Sequence, residues 1–181
     1  WDGVSAWACC ACGGSEGVAV TARVLTARGG SGGVTRRVGA LVTDTQVADF
    51  QAVAIGDMCG DGVGYGMLCS PLTRLMASID HRQEFLDPDP DPARSWTERE
   101  RMFELPRSSW DDYNRKLISK GGGVFARTLK SIPLSPQVRA MLEVTAEALS
   151  PVELINAILK SRAELIYLGG IGTYVKARHE A

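Results

Sequence analysis

This sequence lacks a surplus of either charge: 20 Lys and Arg stand against 21 Asp and Glu, a formal net charge of -1. A nucleic-acid binder carries a basic footprint, and none is written into the chain as a whole. Long apolar runs are absent as well; none approaches the roughly 20 residues that a membrane-spanning helix needs. The chain opens on Trp1 without the basic, apolar and small-residue succession of an export signal. The expectation is a cytoplasmic protein with no nucleic-acid and no membrane partner, and a start on Trp instead of Met suits a piece of a longer chain. Cysteine is sparse and odd in number: Cys9, Cys10, Cys12, Cys59 and Cys69. That count argues against a disulfide framework. Cys9-Cys10-Ala11-Cys12 has no second pair and no nearby His at zinc-site spacing, so no metal is expected. Histidine is rarer still. His81 sits between Asp80 and Arg82, where a hydrogen-bonded structural role is expected, and His179 lies in a charged tail.

What is present is an ordinary globular composition, 45% hydrophobic and 23% charged over 181 residues, enough for one domain with a real core. Residues 1–45 show no sustained period of 2 or 3.6 and are expected to form an irregular, less ordered segment ahead of a domain spanning 46–181. FQAVAIG, residues 50–56, reads as a buried parallel strand ending in Gly. Apolar spacing over 65–78 predicts a helix, flawed by Pro71. QEFLD, 83–87, predicts a second strand, which the prolines of 87–92 terminate. Ser95 with Glu98 resembles a capping box at the start of a helix over 95–105, and 108–119 suggests another short helix. Ser135-Pro136 and Ser150-Pro151 mark two further helix starts. AELIYLGG, 163–170, is an apolar strand running into glycines. Strands alternating with helices predict an α/β fold: a doubly wound, mostly parallel, Rossmann-like sheet.

Within this pattern VAIGDMCGDGVGYGML, residues 53–68, places Gly56, Gly60, Gly62, Gly64 and Gly66 between a strand and a helix-like stretch. Strand, glycine-rich turn and helix in that order form the corner that cradles a dinucleotide pyrophosphate. Gly56, Asp57, Met58, Gly60, Gly62, Gly64 and Gly66 are the candidate cofactor-binding residues there. The loop departs from G-x-G-x-x-G, because Tyr65 stands where a third glycine is due, and it is no Walker loop. A flexible surface loop is the competing reading. An acid at the carboxyl end of the second strand is needed to hold the adenosine ribose hydroxyls. Asp87 stands there if that strand is 83–87; Asp80 stands there if the strand is 75–79. Gly169 and Gly170, after the last strand, are candidates for the nicotinamide side, with a tight turn as the alternative.

Five blocks in order carry a family resemblance: VAIGDMCGDGVGYGML, IDHRQEFLDPDPDPA, FELPRSSWDDYN, LISKGGGVFARTLKSIPLSP and LGGIGTYVKA. Over roughly residues 44–178 the chain resembles the large bacterial NAD-specific glutamate dehydrogenases. The resemblance implies NAD as cofactor and L-glutamate and 2-oxoglutarate as substrates of the full-length enzyme, which is expected to be a homo-oligomer. It also implies that this chain is a fragment. GGSEG, 13–17, and TARG, 26–29, look like family pieces, but VAVT, 18–21, replaces a Tyr-Asp-His-Lys stretch that the family carries between them. A reading-frame error or real divergence would each leave such an island.

The family's catalytic lysine and glutamate-binding residues lie upstream of the matching region, so no catalytic residue is assigned. Lys120 beside GGG, 121–123, is expected to be an exposed loop lysine, and Arg107 and Trp110 are open between ligand contact and domain surface. The lead expectation is the NAD-binding part of a glutamate dehydrogenase, inactive by itself. The alternatives are a nucleotide-binding or regulatory module without catalysis, and an inactive gene fragment.

Overall fold

The computed structural model describes residues 7–9, 24–28, 48–57, 63–68 and 70–169. One seven-stranded sheet organises them. Its strands are β1 (Trp7–Cys9), β2 (Val24–Arg28), β3 (Phe50–Ile55), β4 (Thr73–Ile79), β5 (Gln83–Leu86), β6 (Gly123–Ala126) and, last in the chain, β9 (Leu165–Gly169). They lie in the order β1-β2-β9-β3-β4-β5-β6. The first five in this order are mutually parallel; β5 and β6 add antiparallel pairs at one edge. β7 (Ile132–Pro133) and β8 (Ala148–Leu149) form a separate two-stranded ribbon. The helices are α1 (Val63–Leu68), α2 (Pro92–Glu104), α3 (Pro136–Leu142) and α4 (Pro151–Leu159), with two short 3-10 helices at Trp110–Asp112 and Arg115–Leu117. The architecture is a mixed α/β fold.

β3 and β9 occupy the middle of the sheet and are apolar on both sides, as a parallel strand covered on two faces requires. On β3, Phe50, Ala52 and Ala54 enter one cluster and Val53 and Ile55 the other. The first cluster is closed by Met67 of α1, Met102 of α2 and the buried pair Trp110 and Tyr113. The second is closed by α3 and α4 through Val138, Leu142, Leu154 and Ile158. β4 reaches both clusters by a bulge: Ala52 pairs with Leu75 but Val53 with Ala77, leaving Met76 as the extra residue. Leu75 therefore faces the first cluster and Ala77 the second, although they are two residues apart.

Four expectations need correction. The helix over 65–78 is a helix only to Leu68; a strand follows from Thr73. Pro71 removes a helical donor, and TRLMASI, buried almost throughout, is a central strand whose apolar run imitated helical spacing. The second parallel strand is 73–79, not 83–87. Three residues separate β4 from β5, too few for a crossover, so β5 returns as a hairpin. α2 begins at Pro92 with Asp91 as its cap, whose carboxylate accepts from the Arg94 N–H at 2.9 Å; Ser95 is buried inside it. The Asp-Pro that ends one stretch is also a helix start. Both Ser-Pro starts are N-caps: the Ser135 hydroxyl accepts from Val138 N–H, and Ser150 and Glu153 form a capping box. Trp110 belongs to the core and stacks on Phe85 with ring centroids 4.3 Å apart. The sequence reading offered no strand before residue 46, whereas β1 and β2 extend the sheet along β9.

α1 is only six residues long and includes two glycines, so its own propensity does not sustain it. It is held from α2. The wholly buried Arg99 donates from Nη1 to the Met67 carbonyl at 2.6 Å, from Nη2 to Thr73 O at 3.2 Å and from Nε to Ser95 O at 3.1 Å. Trp96 Nε1 donates to Leu68 O at 3.0 Å. Burial lowers the Arg99 pKa to about 10, so the guanidinium is still the charged form at neutral pH. Arg99→Met keeps the apolar stem but takes the donors from the Met67 and Thr73 carbonyls, while Ser95 O stays within the helix ladder; each unsatisfied buried group costs about 1–3 kcal/mol. Urea denaturation is expected to show a loss of about 3 kcal/mol, with Arg99→Lys recovering only part because one ammonium cannot reach three carbonyls in a fixed fork.

Candidate functional site

The parallel strands point one way, and their carboxyl ends make one edge of the sheet. Gly56 follows β3 there, Asp80 follows β4, and Gly169 ends β9. Ile55 pairs with Leu168 on one side and Ile79 on the other, which sets these three residues side by side. In open α/β sheets ligands bind outside this edge.

Gly56 turns the chain out of the sheet. Its N–H continues the ladder to Ile79 O at 2.8 Å, and its φ of 142° is one that a side chain would strain. Asp57 is the first loop residue, and His81 Nδ1 lies 2.7 Å from its Oδ1. Gly66 has a different role. A Cβ at this position would run into the Tyr167 ring of β9, so glycine lets α1 lie directly on the sheet. Close helix–strand packing is the task of the last glycine in a dinucleotide corner. Gly64 lies within α1; Met58, Gly60, Gly62 and Gly170 lie outside the described residues, as do Cys10, Cys12, Cys59, Cys69 and His179.

Asp80 is buried and organises the β4–β5 corner. Its Oδ1 accepts from Arg82 N–H at 2.6 Å and Gln83 N–H at 2.5 Å, and its N–H donates to Gln83 O at 3.0 Å. Arg127, just past β6, grips the same corner: Nη1 donates to Asp80 O at 2.9 Å and its N–H to Arg82 O at 2.9 Å. Nothing in the local sequence links residue 127 to 80; only the β5–β6 pairing brings them together.

Asp87 is elsewhere. β5 runs back along β4, so the Asp87 N–H meets Met76 O, inside the strand and away from its carboxyl end. Its side chain is buried and its Oδ1 accepts from Ser119 N–H at 3.1 Å, which ties the proline-rich turn to the 119–122 loop. Burial raises its pKa. Lys120 is exposed beside Ser119, at that same end of β5 and β6. The edge therefore gathers Gly56, Asp57, Asp80, His81 and Gly169, and leaves Asp87 and Lys120 outside. No cluster of metal-binding side chains occurs among the described residues.

Glu84 escaped the sequence reading, although an acid inside the apolar run QEFL is itself a signal. It pairs with Ile79 and Phe125 at the same end of the sheet, fully buried, with both carboxylate oxygens unpartnered among the described residues. Burial raises its pKa to about 7, against the opposing pull of Arg127.

A family described as the catalytic domain of bacterial NAD-glutamate dehydrogenase matches residues 6–181, reaching further toward the N-terminus than the blocks over 44–178. The chain is 53% identical over 177 residues to the NAD-specific glutamate dehydrogenase of Mycobacterium tuberculosis, a match covering 94% of this chain and 11% of that protein. It is 46% identical over 170 residues to the Halomonas elongata enzyme of the same name, and 45% identical over 170 residues to that of Pseudomonas aeruginosa. Each of these two covers 94% of this chain and 10% of the relative. The chain thus spans about a tenth of the length of the curated relatives it matches.

The Glu84 geometry makes stability depend on pH. The folded state prefers the protonated carboxyl, so the contribution is fully present below the unfolded value of 4.5 and is lost as pH rises to about 7. From the size of the shift the loss is on the order of 3 kcal/mol. Glu84→Gln should flatten this part of the stability curve, and thermal melts of variant and parent should diverge between pH 4.5 and 7 and stay apart above it.

Proposed function

The chain belongs to the bacterial NAD-glutamate dehydrogenase family, and on that premise we propose that it supplies the NAD-binding part of such an enzyme, through a doubly wound, Rossmann-like unit. The observation that carries this reading is the carboxyl edge itself: a positive-φ Gly56 after β3, an acid after β4, and a glycine in α1 packed against β9. These are the three features a dinucleotide corner needs. NAD, when bound, accepts hydride from the carbon that carries the glutamate amino group.

The roles of this chain's residues follow from their places. Gly56, whose N–H is taken by Ile79 O, turns the chain out of the sheet at the place we assign to the pyrophosphate. Asp80 holds the adenosine ribose: its Oδ1 is committed to the corner, and Oδ2 is the oxygen we assign to the ribose hydroxyls. A carboxylate there also repels a 2′-phosphate, which favours NAD over NADP. Asp87, buried against Ser119 partway along β4, is replaced by Asp80 in this role. Gly169 and Gly170 line the nicotinamide side.

Oxidative deamination of L-glutamate to 2-oxoglutarate and ammonia is then the activity of the longer enzyme, working in the cytoplasm as a homo-oligomer. The groups that bind glutamate and move its protons come from sequence outside this chain. Exposed Lys120 is remote from the carboxyl edge and takes no part. The alternatives, a regulatory module without chemistry and an inactive gene fragment, predict no glutamate turnover by any longer product of the gene.

Calorimetric titration tests the site. Asp80→Asn should narrow the affinity gap between NAD and NADP by roughly tenfold, the worth of one charge-assisted hydrogen bond. An unchanged gap would remove Asp80 from the site. The isolated chain should not reduce NAD with glutamate, since a substrate left unpositioned forfeits on the order of 7–11 kcal/mol of barrier lowering. Absorbance of NADH, with purified chain free of host dehydrogenase, reads this directly.

A further inference from the structure

Glu84 interrupts the apolar lining of its face of the sheet. Side chains alternate along β5: Phe85 enters the first cluster and Leu86 the second, so Glu84 shares the face of Leu86. Ile79 and Phe125 stand directly opposite it on β4 and β6. The residue is 0% exposed, and neither carboxylate oxygen has a hydrogen-bond partner among the described residues. Arg127 lies two residues beyond Phe125, the diagonal position on the same face, a separation that a long side chain can bridge. Its guanidinium is turned to the corner instead, where Nη1 donates to the Asp80 carbonyl at 2.9 Å. One cation thus has two acceptors near it and serves one of them.

The proton on Glu84 decides whether that arrangement lasts. A neutral carboxyl stays in an apolar setting at modest cost, whereas a buried carboxylate without a donor does not. We propose that Glu84 is a proton-controlled release for the β4–β5 corner: its carboxyl leaves Arg127 on the Asp80 carbonyl, and its carboxylate draws the guanidinium away and loosens the turn. The change falls near neutral pH, since burial raises the Glu84 pKa to about 7. Among the described residues Arg127 is the charged group that acts on Glu84. Asp80 is engaged by the Arg82 and Gln83 N–H groups, and His81 by Asp57. The Arg82 side chain is exposed at the turn. On the helices that cover this face, Arg139 pairs with Glu147 and Glu153 caps its own helix. The corner carries Asp80, so its release also lowers NAD affinity as pH rises; this consequence rests on the reading of the edge as the NAD site.

An NMR titration of the chain on both sides of pH 7 tests the release. The Arg82 and Gln83 amide resonances should move in step with the Glu84 carboxyl carbon, and Glu84→Gln should remove that movement. In Arg127→Gln the carboxyl should still titrate while the amides no longer track it, because the link between them is gone. Amides that move as far in Glu84→Gln as in the parent would report His81, which also changes charge near neutral pH. That result, amides that still track Glu84 in Arg127→Gln, or amides that never move in the parent would each overturn the proposal. Calorimetry reads the consequence. NAD affinity of the parent should fall roughly fivefold from about pH 6 to about pH 8, the worth of one hydrogen bond, and that of Glu84→Gln should stay level. A corner that moves as expected in a chain whose NAD affinity stays level, or which binds no NAD, would overturn the reading of this edge and not the release.

Discussion

The Arg99 guanidinium lies wholly inside the protein, divided among the carbonyls of Met67, Thr73 and Ser95. Those three carbonyls belong to the end of α1, the start of β4 and the body of α2. One planar fork therefore sets the spacing of three elements, and a buried cation is tolerated because carbonyl dipoles take the place of its water. α1 is thereby fixed at its carboxyl end and seated on Tyr167 through Gly66.

The edge is organised by a second constraint, the tight return of β5 along β4. A crossover would have carried the chain over a face of the sheet and left Asp80 on an open loop. The hairpin instead folds the Asp80 carboxylate into its own turn and brings Arg127 in from β6 to close it. The same pairing buries Glu84 within the sheet. A firm acid-bearing corner and a buried carboxylate without a partner among the described residues thus come from one topological choice, at one end of the sheet.

Much of this was legible in the chain itself. The strand before the glycines, the strand 165–169, and the serine caps of α3 and α4 rest on nearest-neighbour physics: apolar runs, φ-permissive glycine, and proline placed after a hydroxyl. So did the family, because ordered blocks of residue types survive as sequence. The strand 73–79 was not legible as such. A segment buried on both faces carries no alternation, and Leu72, Leu75 and Met76 also suit a helix.

Sequence by itself determined that an acid follows a strand near residue 80 or 87, and that glycine stands where the backbone turns. It left two candidates for the acid because strand direction is not encoded in any single strand. Only the tertiary structure gave the two acids different places: pairing with β4 sends β5 backwards, keeps Asp80 at the carboxyl edge and carries Asp87 inward to Met76 and Ser119. Arg127, Glu84 and Arg99 gained their roles in the same way, through contacts 26 to 47 residues apart in the chain for the two arginines. Such long-range partners are chosen by how elements pack, and packing is a property of the whole chain that no local stretch can state.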